Sequence, residues 1–266
     1  MYIPAPKRSI LLVNPWVHDF SAYDFWMKPL GLLYLGSLLR SSGYEIRLLD
    51  CLNFTSLPGK YRAELEAPKR RDFGRGHFHR EIIPKPEVLR GVPRRFSRYG
   101  IPVSVFEEEL ARSPKPDVVL LTSAMTYWYP GVQTAVDLVR RRFGSVPVVL
   151  GGVYATLCPD HARAETGADL VVPGPAEESL FAALAEALGA GPAPSPDLSG
   201  PDALPTPAFD LLRDKTWLPV MTSRGCPLRC SFCASAILSP AFSQRPVAAV
   251  LSEVLESHAR FGTRHF

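Results

Sequence analysis

No stretch of this 266-residue chain is apolar for long enough to cross a bilayer. Its first eight residues, MYIPAPKR, lack the hydrophobic core of a secretory signal. Charge of one sign is also missing: 30 Lys and Arg against 26 Asp and Glu leave +4, too mild a surplus to point to nucleic acid by itself. Cysteine is sparse. Of the five, three fall in one short run, which does not read as a disulfide framework. Thiols kept free for another use imply a reducing compartment, so a cytoplasmic protein is expected. A hydrophobic fraction of 46% and a charged fraction of 21% suit one or two soluble globular domains.

The three clustered cysteines are Cys226, Cys230 and Cys233, in the run RGCPLRCSFC, with spacing CxxxCxxC. Three thiolates on one loop can hold three irons of a cubane and leave the fourth open, because four cysteines are the usual full set. A zinc site would normally need a second CxxC or a His pair, and neither follows. The spacing, the apolar run 217–222 before it and Phe232 before the third cysteine resemble the radical S-adenosylmethionine (SAM) enzymes. That resemblance implies a 4Fe–4S cluster on Cys226, Cys230 and Cys233, with SAM bound at the open iron and cleaved reductively. It also implies an external reductant such as flavodoxin or ferredoxin. Arg224 and Arg229 flank the motif and read as solvated side chains.

Upstream, strands and helices alternate. The run 9–14 (SILLVN) is a β-branched, apolar strand, and 45–50, 117–122, 146–150 and 169–172 follow as further strands. Helices are expected over 29–42, near 105–111, over 131–143 and over 177–188. Such alternation argues for an α/β fold, a doubly wound, five-stranded, parallel, Rossmann-like (flavodoxin-like) sheet in the order 2-1-3-4-5. Ligands of these sheets bind outside the carboxyl ends of the strands, where the order reverses. The loops there are 14–16, 123–131, 151–156 and 173–178.

Within those loops, VVLGGVYAT (148–156), Pro159 and ADLVVPG (168–174) resemble the cobalamin (B12)-binding domain that precedes many radical SAM cores. The resemblance implies cobalamin contacts at Ser123, Ala124, Met125, Thr126, Gly151, Gly152, Tyr154, Thr156, Gly174 and Glu177. Two departures stand out. Asn14-Pro15-Trp16-Val17-His18 occupies the place of the family's Asp-x-His-x-x-Gly, and Gly174-Pro175-Ala176-Glu177 that of Gly-Glu-x-Glu. His18 reads as an exposed loop histidine, not as a cobalt ligand. The aromatic run Tyr127-Trp128-Tyr129 suits either a cover for a planar ligand or a packing plug under an insertion.

That insertion, 52–103, carries Lys69, Arg70, Arg71, Arg75, Arg80, Arg90, Arg94, Arg95 and Arg98 among aromatics. RNA binding is one reading of it, and a solvated loop with arginines paired to nearby acids is the plainer one. His77 and His79 are too few for a metal site alone. Residues 189–215 are dense in proline and read as a linker between a 1–188 cobalamin-binding domain and a second domain from 216. There, 217–223 would be a first strand, 246–261 a helix with Pro246 at its first position and Gly262 at its stop, and 263–266 a second strand. Radical SAM cores resemble a partial (β/α) barrel of about six such units. The expectation is therefore the N-terminal part of a cobalamin-dependent radical SAM enzyme, truncated within its barrel. Radical methyl transfer to a small molecule is the leading reaction. A non-catalytic corrinoid-binding or electron-transfer module and an RNA-modifying radical SAM enzyme are the alternatives.

Overall fold

The computed structural model describes residues 8–54, 61, 65, 67–189 and 204–266. In chain order the first half holds β1 (Ser9–Asn14), β2 (Val17–Asp19), β3 (Tyr23–Asp24), α1 (Leu30–Ser41) and β4 (Glu45–Asp50). The insertion adds β5 (Gly76–His77), β6 (Arg80–Ile82) and β7 (Ser97–Tyr99). Then come α2 (Val103–Arg112), β8 (Val118–Leu121), α3 (Tyr129–Phe143), β9 (Val148–Leu150), α4 (Val153–Leu157), α5 (Pro159–Glu165), β10 (Leu170–Val171) and α6 (Ala176–Ala187). After the proline-rich stretch follow β11 (Ser223–Arg224), α7 (Ser235–Leu238), β12 (Ser243–Gln244) and α8 (Val247–Phe261).

The main sheet has the spatial order β10-β9-β8-β1-β4, all parallel, which is 2-1-3-4-5 in sequence order. Its side chains alternate between two apolar layers, as strand geometry requires. Ile10, Leu12, Val118, Leu120 and Val149 face α1 and α6. Leu11, Val13, Val119, Leu121, Val148 and Leu150 face α2, α3, α4 and α5. Helices thus cover both faces, and the inner strands β1, β8 and β9 read as apolar runs because neither face meets water, whereas the edge strand β4 carries Glu45, Arg47 and Asp50. Burying each such Leu or Val contributes about 1.5–3 kcal/mol.

The insertion is more structured than a draped loop. Strands β2, β7 and β6 form a small antiparallel sheet, and β3 pairs with β5. Phe78 and Tyr99 pack under it against Val17. Three of its arginines are paired with acids: Arg70 with Asp24, Arg90 with Glu87 and Arg98 with Glu81. His18 corrects the expectation. It is not an exposed loop residue but lies on β2 opposite Arg98, 5% exposed. The strand partner that buries it sits some eighty residues downstream, so no local pattern signals it.

Of the expected linker, residues 190–203 fall outside the described residues. The rest docks along α1. Phe209 and Leu212 are buried with Leu33, the Ala208 amide donates to the Leu33 carbonyl at 3.0 Å, and Asp210 pairs with Arg40 at 2.7 Å. The expected strand 217–223 reduces to a single parallel bridge between Trp217 and His265, and the paired segment is the later β11, joined to β12. Helix α8 starts one residue later than expected, with Pro246 as its cap, and ends at Gly262 in the left-handed region. Among the described residues this part forms no barrel, and no helix is long and apolar enough to cross a membrane.

Candidate functional site

The order of the main sheet reverses between β1 and β8, and a cleft of about 410 Å³ opens beyond their carboxyl ends. Asn14 to Val17, Lys28 to Gly31, Thr122 to Met125, Trp128 and Gly152 line it. A second cavity of about 250 Å³ runs between α1, α6 and the sheet. Leu32, Leu35, Leu120, Val149, Leu180 and Ala183 wall this slot, and Gly151, Gly174, Glu177 and Arg224 lie along it as well. Gly31, Thr122 and Gly152 line both spaces, so cleft and slot adjoin.

The floor of the site is fixed by hydrogen bonds between its loops. Ser123 Oγ donates to the Gly151 carbonyl at 2.7 Å, and the Val153 amide donates to the Ser123 carbonyl at 2.8 Å. Gly152 has φ 97° and ψ −167°, a combination that is essentially reserved for glycine. A Cβ there would lie 2.3 Å from the Ser123 carbonyl oxygen. Thr156 Oγ1 donates to the Gly152 carbonyl at 2.8 Å and accepts from the Gly174 amide at 3.0 Å. Three loops are thereby locked to one another. At Gly31 and Gly174 an added Cβ would meet nothing within 4 Å, so the absent side chains leave open space along the slot.

The ten cobalamin candidates divide by this geometry. Ser123, Ala124, Met125 and Gly152 line the cleft, and Gly151, Gly152, Gly174 and Glu177 the slot. Thr156 acts on the loops, not on the open space. Tyr154 is buried in the helix layer, where its hydroxyl meets His161 Nδ1 at 2.7 Å and burial pushes its pKa up to about 12. Thr126 opens the short 3₁₀ turn Thr126–Trp128. Of the aromatic run, Tyr127 is exposed, Trp128 lines the cleft and donates to Asp19 Oδ2 at 2.8 Å, and Tyr129 stacks near Tyr154. Trp128 also packs on Val17, Phe78 and Tyr99 under the insertion, the packing role read from the sequence.

Three ionisable groups near the cleft stand out. The Lys28 side chain is 9% exposed. Its Nζ donates to the carbonyls of Asp214 at 2.9 Å and Trp217 at 2.6 Å, and sits 4.3 Å from the centre of the Trp217 ring. Burial lowers its pKa to about 8 against the pull of Asp214, Asp50 and Asp24. Asp50, at the carboxyl end of β4, is raised to about 6 by burial, although Asn14 Nδ2 (2.7 Å) and the Leu52 amide (3.1 Å) donate to it. His18 is lowered to about 4 by burial and by Arg98, and its Nε2 has no partner among the described residues. The lining of the cleft passes from Val17 to Met27 without it. Lys28 was invisible in the sequence because its partners lie more than 180 residues away.

Cys226, Cys230 and Cys233 are free and exposed. The Ser235 hydroxyl lies 3.0 Å from Cys233 Sγ and its amide donates to that sulfur at 3.5 Å, which holds the thiol below its ordinary pKa. The three sulfurs do not form a gathered metal-holding group among the described residues. Their donor chemistry nevertheless fits a cluster: three thiols on one loop, none in a disulfide, one already disposed to ionise. For a corrinoid the fit lies in the apolar slot and its glycine-lined sides. Arg224, expected to be solvated, instead pairs with Glu177.

A family model described as B12 binding domain matches residues 100–184. An uncharacterized methyltransferase of Pyrococcus horikoshii, PH0819, is 29% identical over 177 residues, covering 56% of this chain and 38% of the relative. Among solved structures, the radical S-adenosylmethionine methyltransferase TsrM from Kitasatospora setae, with tryptophan substrate and a SAM analogue bound, superposes with a TM-score of 0.56 at 20% identity. That match covers 96% of this chain and 46% of TsrM, so the chain spans less than half the length of either relative. At this identity TsrM speaks for the fold alone. The residues that match the B12-binding model, 100–184, supply β8, β9, β10 and most of the site's loops.

Proposed function

We propose that this chain is the cofactor-holding part of a cobalamin-dependent radical SAM enzyme that transfers a methyl group to a small molecule. One observation carries the reading: the cleft-and-slot of a B12-binding sheet has the segment that flanks the CxxxCxxC loop as one of its walls. In this reading Ala124, Met125 and Gly152 would hold the corrin ring, and the residues of the slot would hold the nucleotide tail. Leu35, Leu180 and Ala183 exclude water around the tail, while Ser123 and Thr156 hold the loops in place. Cys226, Cys230 and Cys233 hold the 4Fe–4S cluster. When bound, the cluster supplies an electron to cleave SAM, and the corrinoid supplies a methyl carrier.

The names of both relatives support a methyltransferase. A small substrate fits better than RNA, because Arg70, Arg90 and Arg98 are engaged with acids. Val247, Leu251 and Leu255 on α8 form an exposed apolar stripe of the kind that packs against a sheet, in keeping with a strand–helix unit of a partial barrel. A flavodoxin or ferredoxin would deliver the electron. The test is the visible spectrum and the iron and sulfide content of anaerobically reconstituted protein, with and without cobalamin. Expected are iron–sulfur absorption lost in the Cys226→Ala, Cys230→Ala, Cys233→Ala triple variant and corrinoid absorption retained in it. Iron content that survives the triple replacement overturns the reading.

A further inference from the structure

The slot has a wall that the sheet does not supply. Arg224 and Ser239, from either side of the cysteine loop, both line it. Arg224 stands two residues before Cys226, and its guanidinium donates to the carboxylate of Glu177 in the first turn of α6. The Glu177 side chain is only 12% exposed and that of Arg224 34%. On the other side of the loop, α7 begins two residues after Cys233 and packs against α4, the helix that leaves Gly152. Gly225 ties the two sides together: at φ 77° its α-carbon lies so close to Ala241 that a Cβ would sit 2.3 Å from that carbonyl oxygen. The cysteine loop is therefore clamped at both ends onto the loops that shape the slot.

We propose that Glu177 and Arg224 form a tie along the corrinoid slot, through which cluster occupancy of the cysteine loop and corrinoid occupancy of the slot strengthen each other. This rests on the function proposed above and adds a coupling between its two cofactor sites. A cluster on Cys226, Cys230 and Cys233 fixes the loop backbone and with it the position of Arg224. The slot wall is then already ordered when the corrinoid enters, and binding no longer bears that ordering cost. Linkage makes the effect reciprocal: a corrinoid in the slot must tighten the cluster by the same factor. The pair remains partly exposed, so the coupling belongs at the low end of the usual range, about fivefold.

The experiment measures the dissociation constant of hydroxocobalamin for the full chain, before and after anaerobic reconstitution with iron and sulfide. The readout is the ratio of the two constants, which a merely weakened fold would leave unchanged. Wild type is expected to give a ratio of about 5. Glu177→Gln and Arg224→Gln are each expected to give about 1, and the exchanged pair Glu177→Arg with Arg224→Glu to recover part of the ratio. A wild-type ratio of 1 with both cofactors bound, or single variants that keep the wild-type ratio, overturns the coupling and leaves the proposed function standing. Failure of wild type to bind cobalamin in either state overturns both.

Discussion

Replacing Gly152 by Ala tests how the site is built. The residue has φ 97° and ψ −167°, where an L-residue costs about 1–3 kcal/mol. The new methyl would stand 2.3 Å from the Ser123 carbonyl oxygen and 2.7 Å from its nitrogen, both backbone atoms that cannot swing aside. The loops must part, which breaks the 2.8 Å bond from the Val153 amide to Ser123 and removes about another 1 kcal/mol. Together these give a loss of roughly 2–4 kcal/mol, or a drop of roughly 5–15 °C in melting temperature for a chain of this size. Gly151→Ala is the control. Its Cβ would lie 3.8 Å from the Val172 carbonyl oxygen, an ordinary contact, and its stability should stay within about 1 kcal/mol of wild type. Thermal melts followed by circular dichroism distinguish the two. If Gly152→Ala melts with wild type, the close approach of these two loops is not what shapes the site.

Two buried groups should give pH dependences of opposite sign. His18 stays neutral in the fold down to about pH 4 but protonates near 6.5 when unfolded, so the unfolded chain binds more protons between these values. Acid should therefore remove stability across pH 6.5 to 4, by roughly 3 kcal/mol, and His18→Leu should abolish that loss in urea titrations run at several pH values. Asp50 keeps its proton in the fold up to about pH 6 but loses it near 3.8 when unfolded. Its contribution falls as pH rises through that window, again by roughly 3 kcal/mol, so Asp50→Asn should be more stable than wild type at pH 7 and no more stable at pH 3.5. Asn at 50 retains an oxygen for the Asn14 and Leu52 donors, which isolates the charge effect. Arg40→Ala should loosen residues 208–212 from α1 by up to about 1 kcal/mol, seen as faster amide exchange at Leu212, because its pair with Asp210 is partly exposed.

The parallel sheet was legible because its strands are short apolar runs between glycine- and proline-rich loops, and β1 and β4 fall on the expected residues. The glycine pair and the cysteine spacing were legible for the same reason: each is a local pattern in the chain. What escaped depends on distant contacts. His18 is buried by Arg98 and its neighbours, Lys28 is held by Asp214 and Trp217, and Arg224 is held by Glu177. Nothing near these residues in the chain announces a partner 47 to 189 positions away. The slot itself arises where α1 and α6 stand apart over the sheet, and the leucines that wall it have the same helical spacing as those that fill the core.

The most direct measurement is a hydroxocobalamin titration of the full chain beside the variant Ala183→Trp, which adds bulk to the slot from α6 and keeps all three cysteines. Wild type should bind one corrinoid per chain, and the variant should stay folded yet bind at least tenfold more weakly, about 1.4 kcal/mol. Equal binding by a folded Ala183→Trp variant, or none by wild type, would contradict the assignment of this slot to a corrinoid tail.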